Sequence, residues 1–266
     1  MDKAHRKSDK ELRALEKELD RIYTQTNKEI TQRLKEKYKQ QQKNDTKAIR
    51  KEIKRLEEEL KRVTIEAANT NIMAKDMLQG ELARVIEIND AYSYNVVLDM
   101  IEAQGLNVGF NMLNPSVVKE ILKGDVFKEL ALDNFTDKNR IYRELRRAMS
   151  QSIIQGEGAQ EMAKRIQKVM HNERYEAIRI ARTETTKAQN TARNESFKDA
   201  INLGIKIKKK WHSAGDKRVR PTHAELDGVV IPYNEQFKNG CDFPGEGPAS
   251  EVIMCRCTFT AEMEDY

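Results

Sequence analysis

Residues 49–63, IRKEIKRLEEELKRV, set Ile49, Ile53, Leu56, Leu60 and Val63 at steps of three and four, with charged residues filling almost every place between. That spacing is the narrow apolar seam of an α-helix that packs along one face. An earlier copy of the pattern, Leu12, Leu15, Leu19 and Ile22, lies in a chain with no glycine before Gly80 and no proline before Pro115. Helix is therefore the default from the start of the chain to residue 79. Between the seams, KEKYKQQQKNDTK (35–47) has only Tyr38 as a large apolar side chain. A continuous helix would carry the arm on the order of 120 Å at about 1.5 Å per residue, whereas a turn at Asn44-Asp45 would fold it back, so coiled coil and helical hairpin both stay open.

Downstream, Leu82, Val85, Ile86, Ile88, Val96, Val97, Leu98 and Ile101 raise the apolar density to that of a core helix, before Gly105 and Gly109 loosen the chain. Asn114-Pro115 reads as an N-cap followed by proline at the first helical position, and Gly124 stands where that helix would end. Thr136 can cap a helix with Ile141, Leu145, Ala148 and Met149 on one face. A further helix from Ala159 turns Met162, Ile166, Val169 and Met170 inward, and 173–203 is free of Gly and Pro up to Gly204. From Gly204 onward lie six of the twelve glycines and four of the five prolines, and helical periodicity stops. The runs 205–211, 229–233 and 251–260 are short and β-prone, and alternation in the last would place Ile253, Cys255, Cys257 and Phe259 on one face. The expected fold is mainly α: a long N-terminal helical arm over 1–80, an acidic helical region over 81–137, and a small α+β C-terminal module over 138–266, with helices to 203 and an irregular sheet over 204–266.

Of 266 residues, 34% are charged and 38% hydrophobic, so the chain holds less core per residue than a compact enzyme of that length. Net charge runs in blocks: +7 over 1–62, −7 over 63–137, +12 over 138–220 and −7 over 221–266. Fields of that kind steer polyanions or complementary proteins. No stretch approaches the 18 or so apolar residues of a membrane span, and residues 1–10 are polar, which speaks against insertion and secretion. Three cysteines, all beyond residue 240, fit a reducing compartment.

The C-terminal polar set offers two chemistries. Cys255 and Cys257, at i and i+2, with His223 and Cys241 have the ligand types of a Cys3His zinc site, although the spacing is not that of a zinc finger; buried apolar packing is the plain alternative. His223, Glu225 and Asp227 lie within five residues, the material for a zinc-dependent hydrolase or nuclease, but no H-E-x-x-H, G-x-S-x-G or P-loop accompanies them, and no catalytic residue is assigned. Lys206, Lys208, Lys209 and Lys210, followed by Trp211, Lys217 and Arg218, can contact DNA phosphates without reading bases, or can form a solvated strand edge. Arg182 and Glu184, two apart on a helix, cannot face one another and must each find a partner elsewhere.

In order and spacing, GEGAQEMAKRI (156–166), ARTET (181–185), WHSAGDKRVRPTHAELDG (211–228), FPG (243–245) and CRC (255–257) resemble the phage head morphogenesis proteins of the Mu protein F-like minor head family. The resemblance covers roughly residues 140–260; residues 1–80 match no part of it. It implies polar anchors at Arg182, Glu184, Arg220, His223, Asp227 and Arg256, along with Gly228, Pro244, Gly245, Cys255 and Cys257. Cys241 is not a position of the family pattern, which leaves a fourth zinc ligand open. The chain runs only six residues past Thr260, so no enzymatic domain of the kind some members carry is expected after the module. The resemblance further implies a structural, non-enzymatic component of the virion, in the head interior or at the portal vertex, assembled in the host cytoplasm. Its partners would be the portal protein and other head components, with double-stranded DNA as a further partner during packaging. A freestanding coiled-coil DNA-binding protein is the third reading.

Overall fold

The computed structural model describes residues 2–39, 46–118 and 136–263, apart from the side chains of 37–39, 46–55 and 153–154. Asn44-Asp45, Gly124 and the side chains of Tyr38, Ile49 and Ile53 lie outside the described residues. Four long helices dominate: α1 (Lys3–Lys39), α2 (Thr46–Ala103), α3 (Lys138–Ile154) and α4 (Ala159–Asn202). After them come β1 (Ile207–His212), the short helix α5 (Pro221–Ala224), β2 (Val230–Pro232), the short helix α6 (Ala249–Val252) and β3 (Thr258–Met263). The mainly α architecture with a small C-terminal sheet is the one expected. Asn114 caps the turn at Pro115 as predicted, its Oδ1 accepting the Ser116 N–H at 3.0 Å.

The chain divides into two compact units, each built from several segments. One comprises Glu16–Met77 and Leu130–Ile178. Within it α1 and α2 are antiparallel: Tyr23 bonds to Asn71, Thr26 to Thr70 and Arg33 to Glu59, so numbers rise on one helix as they fall on the other. The seam is thus that of a helical hairpin, and Leu56, Leu60 and Val63 pack with Ile30, Leu34, Ile141, Leu145, Met162 and Ile166 in one core. A polar link crosses that core. Arg140 gives Glu173 a two-pronged hydrogen bond at 2.7 and 2.8 Å, and Asn71 Nδ2 donates to the same carboxylate at 2.9 Å. The carboxylate holds Arg140 firmly in its charged form, raising its pKa against the opposing effect of burial.

The other unit comprises Met1–Leu15, Leu78–Glu129 and Arg179–Tyr266. Its sheet is antiparallel with order β2-β1-β3 and sets Lys209 opposite Ile231 and Trp211 opposite Phe259. Phe259 stacks on Phe243 at 5.6 Å and meets Phe197 of α4 edge-on at 5.7 Å, closing a core with Val97, Phe110, Ile205 and Ile207. Below it, Arg193 of α4 is fully buried. Its guanidinium donates to Asp2 twice at 2.9 Å, to Asn89 Oδ1 at 2.9 Å and to the Phe259 carbonyl at 2.9 Å, and it lies 4.5 Å from the Tyr92 ring centre. The third strand differs from the expected 251–260. Residues 249–252 form α6, Met254 takes a left-handed conformation (φ 60°), and pairing begins only at Thr258. Cys255 and Cys257 therefore precede the strand, and Ile253, only half-buried, does not share their inward face.

Candidate functional site

Local sequence explains how His223 is presented. Pro221 starts α5 and forces Arg220 into extended backbone (φ −64°, ψ 148°), so the chain turns abruptly and sets His223 in the last turn of a four-residue helix. Beyond it, Asp227 Oδ1 accepts the Ser213 N–H at 2.7 Å. Gly228, at φ 79°, donates its N–H to the Trp211 carbonyl at 2.8 Å, closing the loop against β1. Arg220 reaches across to the carbonyls of Glu251 and Ile253, fastening α5 to the segment that carries the cysteines.

The imidazole is only 2% exposed and lies edge-on to Trp211 at 5.1 Å. Its Nε2 is 3.0 Å from Glu251 Oε2, and that oxygen also accepts from Thr222 Oγ1 at 3.0 Å and Asn239 Nδ2 at 3.4 Å. Burial pushes the Glu251 carboxyl up, but the donors Thr222, Asn239 and His223 outweigh it and hold the pKa below its usual value. With a carboxylate on Nε2, that nitrogen carries the proton and Nδ1 presents a lone pair. Nδ1 faces Cys255 Sγ at 3.6 Å and Cys257 Sγ at 3.4 Å. The hydrogen bond from Cys255 draws Cys257 toward thiolate, with the Ala214 N–H adding to it and burial opposing, while the same bond and burial push Cys255 up.

Helix α4 positions the cysteines through residues that sequence reasoning did not single out. Thr183, Thr186 and Asn190 occupy one face at steps of three and four. Thr183 Oγ1 accepts the Met254 N–H at 3.0 Å, Thr186 Oγ1 donates to the Cys255 carbonyl at 2.5 Å, and Asn190 Nδ2 donates to the Cys257 carbonyl at 3.1 Å. The signal was present in ARTETTKAQN as hydroxyls and an amide at helical spacing, where a solvated face would carry long charged side chains. Arg193 was likewise missed, although Gln189, Arg193 and Phe197 continue one face at steps of four.

The expected site residues do not all converge. His223, Cys255 and Cys257 bring ligand atoms within 4.8 Å of one another, while Cys241 stands outside that group among the described residues. Its sulfur packs on Gly247, where an added Cβ would lie 2.7 Å away, and burial raises its thiol to about 11. Glu225 has no hydrogen bond to the imidazole among the described residues, and Asp227 serves the loop. Arg256 pairs with Asp216 at 2.7 Å near the surface. Arg182 is half-buried on α4. Glu184 Oε2 has no hydrogen-bond partner among the described residues, and burial lifts its carboxyl to about 7. In the lysine run, Lys206 is exposed and Lys208 and Lys210 half-buried, and Lys210 pairs with Glu262 at 2.8 Å. Lys209 turns the other way because alternation along β1 sends Ile207, Lys209 and Trp211 inward. Its ammonium donates to the Asp242 carbonyl at 2.7 Å beside the Tyr233 and Phe237 rings, so it is withdrawn from the exposed basic run. Lys217 and Arg218 are exposed.

Three comparisons with known proteins bear on this region. Residues 143–260 match the family described as Phage Mu protein F like protein. Among curated relatives, the minor head protein GP7 of Bacillus phage SPP1 is 29% identical over 160 residues, 58% of this chain and 51% of that protein. The NAD(+)--arginine ADP-ribosyltransferase EFV of Enterococcus faecalis (strain ATCC 700802 / V583) is 29% identical over 177 residues, 65% of this chain but 36% of that protein. The chain thus spans between a third and about half the length of these relatives. No solved structure matches it. No helix among the described residues is long and apolar enough to cross a membrane. The motifs that converge here, ARTET, the His223 loop and CRC, all fall inside the stretch 143–260 that is similar to the Phage Mu protein F like family.

Proposed function

We propose that the chain is a structural minor head protein of a tailed phage, acting at the portal vertex in procapsid assembly and in the packaging or delivery of DNA. The observation that carries this reading is the match to a phage minor head protein over about half of that protein's length. The geometry supports a binding role over turnover. His223, Cys255 and Cys257 are 2–3% exposed, and the hydrogen bonds of the imidazole and of the two cysteine carbonyls tie one part of the chain to another. A zinc-dependent hydrolase or nuclease at the same residues would need substrate to reach side chains that the protein covers on all sides. The ADP-ribosyltransferase relative shares only 36% of its length with this chain, and we assign no transfer of ADP-ribose here.

In this reading the portal protein and neighbouring head components are the partners, the particle is built in the host cytoplasm, and the chain resides in the head interior or at the portal vertex. DNA is a secondary partner, held through its backbone by Lys206, Lys208, Lys217 and Arg218, with affinity falling steeply as salt rises. The test is co-expression of the full chain with the portal, scaffold and major capsid proteins of a tailed phage that encodes it. Purified particles are then weighed chain by chain by mass spectrometry. A few copies per particle, retained on isolated portal rings, is the expected outcome. Particles that assemble normally and exclude the chain would refute the proposal.

A further inference from the structure

We infer that His223 Nδ1, Cys255 Sγ and Cys257 Sγ form a zinc site, with Glu251 as the positioning residue that sets the imidazole to bind. The inference stands on the geometry of this cluster and is independent of the head-assembly reading.

Ligand spacing is the first argument. Zinc bonds of about 2.0 Å to nitrogen and 2.3 Å to sulfur, opened at the tetrahedral angle, put nitrogen and sulfur about 3.5 Å apart. Here Nδ1 stands 3.6 and 3.4 Å from the two sulfurs, the nitrogen–sulfur spacing of a zinc site, and all three ligand atoms lie within 4.8 Å of one another. The second argument is the neighbour of the imidazole. A histidine that ligates zinc characteristically donates its other N–H to a carboxylate, which fixes the tautomer and strengthens the donor nitrogen. Glu251 does this at 3.0 Å, and is itself held by Thr222 and Asn239. Third, the cysteines are set in place by the backbone: Met254 is held in a left-handed turn by Thr183, and the carbonyls of Cys255 and Cys257 are fixed by Thr186 and Asn190. The Cys257 N–H additionally points at Cys255 Sγ at 3.4 Å, a bond that favours sulfur as thiolate.

Charge balance accounts for the burial. Zn2+ would be held by both sulfurs as thiolates, any thiol proton still present leaving to solvent, and by the Nδ1 lone pair, so two thiolates cancel the ion among Trp211, Leu226 and Phe237, where a net charge would be costly. Cys241 is not a ligand, because its sulfur packs on Gly247 and stands outside the cluster among the described residues. The ion ties α5 to the segment before β3, two pieces more than thirty residues apart in sequence.

The test uses the full chain, purified under reducing conditions from zinc-supplemented medium and again after metal removal. One zinc per molecule is expected in the first preparation. Titrating the stripped chain with Co2+ should raise a thiolate-to-cobalt charge-transfer band that saturates at one equivalent. C255S and C257S should each abolish it, C241S should keep it, and E251Q should weaken affinity by about tenfold or more in competition with a chromophoric chelator. The wild-type titration requires no variant, so a substitution that unfolds the protein leaves the question decidable. A stripped, fully reduced, folded wild-type chain that shows no thiolate band overturns the inference, as does a band that C241S removes.

Discussion

Arg193 and His5 show how single side chains set the energetics of the unit that carries the cysteines. The Arg193 guanidinium is wholly buried, and Asp2 neutralises it. Burial alone would raise the Asp2 carboxyl, but Arg193, by hydrogen bond and by charge, and the His5 N–H bring it down to about 2. A buried pair of this kind adds little net stability, yet loss of one partner costs about 3–5 kcal/mol because the other is left charged and unpaired. His5 sits beside them, its Nδ1 accepting from Gln189 Nε2 at 2.9 Å. Burial lowers its pKa to about 4, the Arg193 charge adds to this, and Asp2 and Asp9 oppose it. The unfolded chain takes up this proton below about pH 6.5 and the folded protein only near pH 4, so the stability His5 contributes is full above pH 6.5 and lost as pH falls to about 4. The loss amounts to about 3 kcal/mol. Urea unfolding of wild type and H5Q at pH 7.5 and pH 4.5 checks this: wild type should lose more stability over that interval than H5Q. Equal losses would remove His5 from the account.

At the level of elements, the FPG turn docks on α4. Gly245 has φ 95°, and a Cβ there would lie 2.9 Å from Lys187 Cα and 3.1 Å from Lys187 N, backbone atoms of a long helix that cannot yield. G245A should cost about 2–4 kcal/mol, the sum of left-handed strain and overpacking. G215A is the control. Gly215 also has positive φ (69°) but nothing within 4 Å of its would-be Cβ, so its substitution should cost only about 1–2 kcal/mol. Thermal unfolding of the two variants side by side measures the difference, and equal effects would mean that the turn does not bear on α4. The glycine of FPG was readable as part of a motif, but the helix it touches was not.

At the level of the whole molecule, both compact units draw on the N-terminal residues. Ile30, Leu34, Leu56, Leu60, Val63, Ala67 and Ala68 make up half of the core they share with α3 and α4, and Asp2 neutralises Arg193 in the other unit. A fragment of residues 81–266 should therefore fail to fold as a cooperative body, lacking a sigmoidal thermal transition by circular dichroism. A fragment that melts sharply would show instead that the N-terminal helices are an appendage. By the same token, such a truncation cannot isolate a DNA-binding arm from a head protein, because it removes core from both units.

Helix content, the described seam positions from Leu12 to Ile22 and from Leu56 to Val63, the Asn114 cap and the change to short strands after Gly204 were all determined by the sequence alone, because each depends on spacing of three to four residues or on the dihedral freedom of Gly and Pro. Where β3 begins was not, since Val252, Cys255 and Phe259 suit a strand locally, and it is Thr183, Thr186 and Asn190, some seventy residues earlier, that hold Met254 to Cys257 off the sheet. Tertiary structure also decided that Arg193 is an anchor, and that His223 meets two cysteines while the third stands apart. In each case the deciding partner is remote along the chain, and local periodicity holds no record of which distant groups will be brought within hydrogen-bonding distance.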